Sequence, residues 1–340
     1  MKYIIGVKPE AASALVVDEE SAGQRLDNFL MRHLKGVPKT HVYRIIRSGE
    51  VRVNKGRAQA DTRVAAGDLV RLPPVRISEK VAEKADKPAP AREFPILLED
   101  EHLIALDKPA GVAVHGGSGV SFGVIEQLRR ARPQAKFLEL VHRLDRDTSG
   151  ILLVAKKRSA LTHLQNQFRE RETGKTYLAL VQGAWPANKR VLDRPLVKFL
   201  LPGVDGKEGE RRVKVTAKDD LDGMKSVTLV KVARGASMPP TSYRTKALAM
   251  TLLEVTLKTG RTHQIRVHLA SEGHPIAGDD KYGDFEWNKA LQKQGLKRMF
   301  LHAWQLRFSH PADQRDVSLI AELPPELLPW GGSPKVKAVG

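Results

Sequence analysis

The chain has 340 residues, 41% of them hydrophobic, with 57 Lys/Arg against 39 Asp/Glu, a formal charge of +18 and no cysteine. That apolar content suffices for a packed core, and the lack of cysteine excludes disulfides, thiolate metal sites and cysteine nucleophiles together. The cationic surplus favours a nucleic-acid or anionic partner, whereas aromatic residues at only 5% argue against a broad base-stacking platform. Residues 1–20 read as a loosely held lead, too short in apolar residues for a secretory signal. No apolar run approaches the ~20 residues of a spanning helix. A cytoplasmic protein without membrane contact is expected.

From Ser21 to Arg76, 12 Lys/Arg face 4 Asp/Glu, a net +8, so nearly half of the surplus sits in a sixth of the chain. Leu26, Phe29, Leu30 and His33 fall on one face of a first helix. Val42, Ile45 and Ile46 mark a second, stopped at Ser48-Gly49. Val51-Arg52-Val53 alternates as a strand, Asn54-Lys55-Gly56 turns, and Asp61–Leu72 reads as a strand pair broken at Gly67-Asp68. QRLDNFL (24–30), VYRIIRSGEVRVN (42–54) and AGDLVRL (66–72) resemble the S4 RNA-binding module. In that family the second helix and the turn after it lie on RNA. The corresponding face here offers Lys39, Arg44, Arg47, Arg52, Lys55 and Arg57 as candidate phosphate contacts.

Residues 77–92 are charged and rich in Ala and Pro, and read as a linker. Leu103–Leu106 then predicts a strand ending at Asp107-Lys108-Pro109. Ser121 is placed to cap a helix through Arg130, with Val124, Ile125 and Leu128 inward. Ile151–Ala155 predicts a buried strand, Leu161, Leu164 and Phe168 an amphipathic helix ending at Thr173-Gly174, and Tyr177–Gln182 another strand. Residues 187–247 are poorly patterned, and Lys207–Lys214 reads as a charged, exposed insertion. Met250–Lys258 predicts a strand, followed by a helix over 263–272 capped by Thr262 and closed by Gly273 and Pro275. The last dozen residues read as a frayed tail. The whole suggests an α+β fold with a mixed, mostly antiparallel sheet. The domains expected are a basic module over 21–76, the linker 77–92, a catalytic domain over 93–328 and the tail 329–340.

Several familiar motifs fail. Gly174-Lys175-Thr176 resembles the end of a P-loop, but its first glycine is replaced by Arg169. His115–Gly119 suggests an oxyanion loop, but the serine of the adjoining G-x-S-x-G string (119–123), Ser121, reads as a helix cap, so a serine hydrolase is not expected. A strand-linked G-x-G-x-x-G is missing. His263 and His268, five apart, suit neither a strand face nor a helical zinc pair. No cofactor and no metal are expected.

Three polar segments border apolar strands: Val141–Gly150 (VHRLDRDTSG), Gly174–Tyr177 (GKTY) and Thr259–His268 (TGRTHQIRVH). The last puts His263 and Arg266 one turn apart on one side of a helix. An acid (Asp145), a phenol (Tyr177) and a guanidinium (Arg266) are thus available to converge. On spacing alone the plainer reading is a turn aspartate, a half-buried tyrosine and an ordinary ion pair.

HRLDRDTSG resembles the HRLD-x-x-TSG signature of the RluA-type RNA pseudouridine synthases, and DKPAG (107–111), GKTY and TGRTHQIRVH resemble that family's other motifs in order. VHGGSG, SFGVIE and LLVAKKRSAL are similar to the bacterial branch that acts on 23S rRNA. The resemblance implies an isomerase acting on 23S ribosomal RNA; that isomerisation needs no cofactor, and a monomer is expected because nothing in the sequence requires a dimer. It implies that Asp145 is the catalytic aspartate, Tyr177 the active-site tyrosine and Arg266 the basic partner of the aspartate. Arg143 would fill the space left by the flipped base. Asp147, at a variable position of the motif, is the rival carboxylate. A non-catalytic ribosome-assembly protein, or a synthase for tRNA or small-subunit rRNA, are the competing readings. The chemical route also stays open: the carboxylate can stabilise positive character at C1′, attack it, or remove the 2′ proton.

Overall fold

The computed structural model describes residues 12–19, 21–34, 37–75, 89–116, 122–202, 210–233 and 249–331. Most of the expected lead, linker and tail lies outside the described residues, as do Ser121 and parts of the 200–247 stretch. The chain divides into two units, Met1–Pro90 and Ala91–Gly340.

The first unit contains β1 (Ser13–Val16), α1 (Leu26–His33), α2 (Lys39–Arg47), β2 (Arg52–Val53), β3 (Gly56–Arg57) and β4 (Leu69–Leu72). Its four-stranded antiparallel sheet has the order β1-β4-β2-β3. Leu26, Phe29 and Leu30 from α1 meet Val42, Ile45 and Ile46 from α2 over Val51, Val70 and Leu72. Complete burial of such a side chain contributes about 1.5–3 kcal/mol, which explains why the apolar spacing dictates both helices. Gly49 ends α2 at φ +74, a left-handed position where a Cβ would also strike Arg57 at 2.8 Å. The structure departs from expectation in three places. His33 is exposed, and its ring rests on Phe29 at 4.5 Å between centroids. Ser13–Val16, expected in the loose lead, pairs with β4 through Ser13↔Leu72 to Val16↔Leu69. Of the expected 61–72 strand pair, the first half forms no regular strand; it meets α1's entry at the isolated Arg25↔Arg63 bridge, with backbone bonds from Gly23 to Val64, Val64 to Gln24 and Leu26 to Thr62.

The second unit is built on one ten-stranded sheet. It runs through β5 (Ile96–Glu99), β6 (Leu103–Lys108), α3 (Val124–Ala131), β7 (Glu139–Leu140), β8 (Ser149–Ala155), α4 (Arg158–Glu170) and β9 (Gly174–Gln182). There follow β10 (Val191–Asp193), β11 (Leu196–Leu201), β12 (Glu210–Val215), β13 (Val227–Val232) and β14 (Met250–Leu257). The chain then continues with α5 (Gln264–Ser271), α6 (Phe285–Lys293), β15 (Leu301–Ser309), β16 (Asp316–Ile320) and α7 (Leu328–Gly331). The main strand order is β10-β13-β14-β9-β15-β8-β6-β5, with β16 on β15 and β7 on β8. Among the described residues β15·β8 is the one parallel pair of this sheet. The fold is α+β with a mostly antiparallel sheet.

All seven residues of β8 are buried, because both of its faces are covered. Ile151, Leu153 and Ala155 join the cluster under α4, with Leu161 and Leu164, and Leu152 and Val154 join the one under α3, with Val124 and Leu128. β9 behaves alike: Ala179 and Val181 pack toward Ile265 and Leu269 of α5, and Leu178 and Leu180 toward Trp287 and Leu291 of α6. Two-sided burial turns the usual period-2 alternation into an unbroken apolar run.

The stretch 210–214, expected as an exposed insertion, is strand β12, paired with β11 from Leu196↔Val215 to Leu201↔Glu210. Its buried Val213 packs with Val267 and Tyr282. One apolar anchor among charges is a weak strand signal. Thr262 is not the helix cap: His263 holds that position at φ 53, ψ 18. The side chain of Gln264 accepts the Arg261 N–H at 3.0 Å and the Thr259 hydroxyl at 2.8 Å, which ties the preceding loop to the first turn.

Candidate active site

The rows of the sheet locate the site. Register places Tyr177 on β9 opposite Ala303 on β15, and Ala303 opposite Gly150 on β8. Two small residues thus follow Tyr177 across the sheet on one side, and Val255 of β14 is its neighbour on the other. Gly150 is obligatory there: its φ is +105, and a Cβ would lie 2.3 Å from the Ala303 carbonyl oxygen. The loop 141–148 leads into β8 and carries the HRLD string.

That loop is fixed from beneath. Leu144 is buried in the core, and Thr148 N–H donates to the Asp145 carbonyl at 3.2 Å. Lys108, at the end of β6, is fully buried, and its Nζ donates to the carbonyls of Pro109 (2.8 Å), Val112 (2.8 Å) and Arg146 (3.0 Å). Three acceptors match the three N–H bonds of an ammonium, although burial pulls the pKa of Lys108 down to about 7. The Ser149 hydroxyl accepts from Arg298 at 2.7 Å and bonds His302 Nδ1 at 2.8 Å. His142 Nε2 accepts the Leu153 N–H at 3.1 Å, and its ring stacks on Phe168 at 4.6 Å. Burial, aided by Lys175, pushes its pKa down to about 3, so this histidine is a neutral wall of the site.

A cavity of about 230 Å³ opens above these supports, lined among others by Arg143, Asp145, Lys175, Tyr177, His263 and Arg266. All three residues singled out for chemistry line it together. Asp145 Oδ2 lies 3.5 Å from Arg266 Nη1 and 3.9 Å from His263 Nε2. Burial raises the Tyr177 pKa well above that of a free phenol, and the charge of Asp145 adds to the rise. Arg143 is exposed at the rim. Asp147 pairs instead with Arg146 at 3.1 Å and is not among the described residues lining the cavity.

The expected Arg266–Asp145 pairing is the weaker of two. Arg266 is bound bidentately by Asp279, Nε to Oδ2 and Nη2 to Oδ1, both at 2.7 Å, with both side chains buried. Asp279 Oδ1 also accepts the N–H groups of Lys281 (2.9 Å) and Tyr282 (3.0 Å). Burial alone would raise the Asp279 pKa, but these bonds hold it below the ordinary aspartate value. Tyr282 packs under the Arg266 guanidinium, 5.2 Å from the ring centre. The segment Gly278–Gly283 (GDDKYG) was missed in the sequence. Its signal was two acids and a phenol directly after a glycine.

In the first unit Lys39, Arg44 and Arg47 stand exposed on α2, and Lys55 and Arg57 at the turn beyond it. Arg52 is half-buried and donates to the Gly49 carbonyl at 2.9 Å. Arg44 faces Glu50 at 3.5 Å, and Arg47 leans on the Tyr43 carbonyl at 3.4 Å. Arg52 and Lys55 share a groove of about 410 Å³ with Arg71, a cation the sequence reading omitted.

Comparison with known proteins identifies the class, an RNA-modifying isomerase: the sequence model described as RNA pseudouridylate synthase matches residues 102–271, and that of the S4 domain matches 24–70. The chain belongs to the RNA pseudouridylate synthase family. It is 50% identical over 322 residues to the "Ribosomal large subunit pseudouridine synthase C" of Pasteurella multocida, covering 94% of this chain and 92% of that one. The protein of the same name from Salmonella typhimurium is 51% identical over 303 residues, 88% of each chain. Among solved structures, "Human RNA Pseudouridylate Synthase Domain Containing 4" is similar at 28% identity and a TM-score of 0.52, over 69% of this chain and 92% of that one.

Proposed function

We propose that the chain converts specific uridines of large-subunit (23S) ribosomal RNA to pseudouridine, with Asp145 as the essential carboxylate. The observation that carries this reading is the meeting of Asp145, Tyr177 and Arg266 in one cavity, in a chain half identical to proteins named for that reaction. The reaction breaks the N1–C1′ bond, turns the uracil and joins C5 to C1′. N1 gains a proton and C5 loses one, so product and substrate are isomers.

The chain's own groups suit each demand. Eversion of the base costs a few kcal/mol; Arg143 at the rim is placed to enter the vacated stack and offset part of it. Bond cleavage puts positive character on the sugar, which the Asp145 carboxylate meets by electrostatics, by attack at C1′ or by taking the 2′ proton. Arg266, clamped by Asp279, keeps a fixed positive charge beside that carboxylate. Tyr177 offers its ring face to the detached uracil while it rotates, and its phenol keeps its proton. The 21–76 module holds flanking RNA through Lys39, Arg44, Arg47, Arg52, Lys55 and Arg57, and the 93–328 domain acts as a monomer in the cytoplasm. Pseudouridine mapping of rRNA from cells with and without this protein tests the reading. Loss of discrete 23S sites supports it; an unchanged 23S map contradicts it.

A further inference from the structure

We propose that His263, oriented by Tyr282, is a positioning residue for Asp145: its Nε2–H steadies carboxylate oxygen Oδ2 and leaves Oδ1 to meet the ribose. The proposal rests on the reading of Asp145 as the essential carboxylate.

The backbone gives the first indication. His263 sits at φ 53, ψ 18, in the left-handed region, and makes no side-chain cap bond to the helix it precedes. That conformation costs a non-glycine residue roughly 1–2 kcal/mol. The strain places the imidazole on the cavity wall instead of over the helix end.

The proton can be assigned from the partners. Tyr282 Oη accepts the Val213 N–H at 3.1 Å and lies 2.8 Å from His263 Nδ1. With one lone pair taken by Val213, the phenol still has its proton to give to Nδ1, and the carboxylate across the ring selects that arrangement. The neutral ring then carries its hydrogen on Nε2, and Nε2 is the nitrogen 3.9 Å from Asp145 Oδ2. The other tautomer would set a lone pair against a carboxylate. Burial lowers the His263 pKa, Asp145 opposes this, and Arg266 and Lys281 add to the lowering, so the ring is neutral at pH 7. Arg266 Nη1 approaches the same oxygen, Oδ2, at 3.5 Å. Among the described residues no hydrogen bond is made to Oδ1. Arg266 holds Oδ2, and closure of the His263 N–H on the same oxygen steadies the carboxylate with the other oxygen free. The motion needed to turn 3.9 Å into a hydrogen bond is under one ångström for the histidine arm.

Two substitutions separate this role from a purely local one. His263→Gln keeps an N–H where Nε2 stands. His263→Asn suits the left-handed backbone better, but its amide reaches only the level of Nδ1. Steady-state tritium release from a [5-³H]uridine transcript, with melting and RNA-binding measurements, reads both. For His263→Asn, kcat falls about 10- to 100-fold, the loss of one hydrogen bond to a charged group, while KM stays within about twofold. For His263→Gln, kcat remains clearly above that of the Asn variant although its melting point is the same or lower. The reverse order, equal losses, or two fully active variants overturn the proposal. Asp145→Asn is run alongside: turnover in that variant would refute the carboxylate reading itself, whatever the histidine variants do.

Discussion

Asp279→Asn isolates the ion pair that holds Arg266. The substitution keeps Oδ1, and with it the bonds from the Lys281 and Tyr282 N–H groups, but replaces Oδ2 by an amide that faces Arg266 Nε. Side-chain exposures are 3% for Arg266 and 1% for Asp279, so water cannot substitute for the lost carboxylate. Breaking a buried pair by removing one partner costs about 3–5 kcal/mol. For a unit of this size that corresponds to a fall of roughly 6–20 °C in melting temperature. The guanidinium retains two carboxylates, Asp145 at 3.5 Å and the exposed Asp280 at 3.4 Å. It closes on Asp145 and ties up the carboxylate, so kcat drops at least tenfold while RNA affinity holds. Thermal melting, filter binding and tritium release on the same preparation check all three. A melting temperature within 1–2 °C of the parent, far below the roughly 6 °C minimum, would refute the claim that Asp279 is the principal partner of Arg266.

If stacking dominates at Tyr177, Tyr177→Phe loses little in single-turnover rate and Tyr177→Ala loses about 10- to 100-fold, as base–aromatic stacking of 1–3 kcal/mol implies; equal losses would assign the work to the hydroxyl. Charge reversal at Arg47 and Lys55 weakens RNA binding and flattens the plot of log K against log salt by roughly 0.7–0.9 per lost phosphate contact; an unchanged slope would remove this face from the RNA interface. His142 takes up its proton only near pH 3 when folded, against the ordinary 6.5, so between these values the unfolded chain binds more protons. Stability therefore falls as pH drops below 6.5. Urea titrations should show the parent losing about 2 kcal/mol more than His142→Gln between pH 7 and pH 5, and parallel curves would contradict a buried neutral ring.

The sequence made some of this legible and hid the rest for identifiable reasons. Helices α1, α2 and α4 carry apolar residues at helical spacing, and β8 and β9 are apolar runs of strand length, so periodicity located them. Asp145, Tyr177 and Arg266 were singled out because HRLDRDTSG, GKTY and TGRTHQIRVH resemble one family's motifs; on spacing alone they read as a turn aspartate, a half-buried ring and an ordinary ion pair. Asp279 stayed hidden because its partner lies 13 residues away across a turn, and an Asp-Asp pair after glycine also reads as a solvated loop. Lys108 reads as the end of a strand, and only tertiary packing brings the Arg146 carbonyl to it. β12 was lost among its charges, since one buried valine sets no visible period. Thr262 had the right chemistry for a cap, but the helix starts one residue later, with His263 in the cap position and no side-chain cap bond.

The most direct test of the account is tritium release by Asp145→Asn, an isosteric change that removes the carboxylate charge from the cavity and keeps the loop, on RNA it still binds. No release above background, with RNA affinity and melting temperature preserved, is the predicted result. Release at the parental rate would contradict the assignment of the carboxylate and the mechanism built on it.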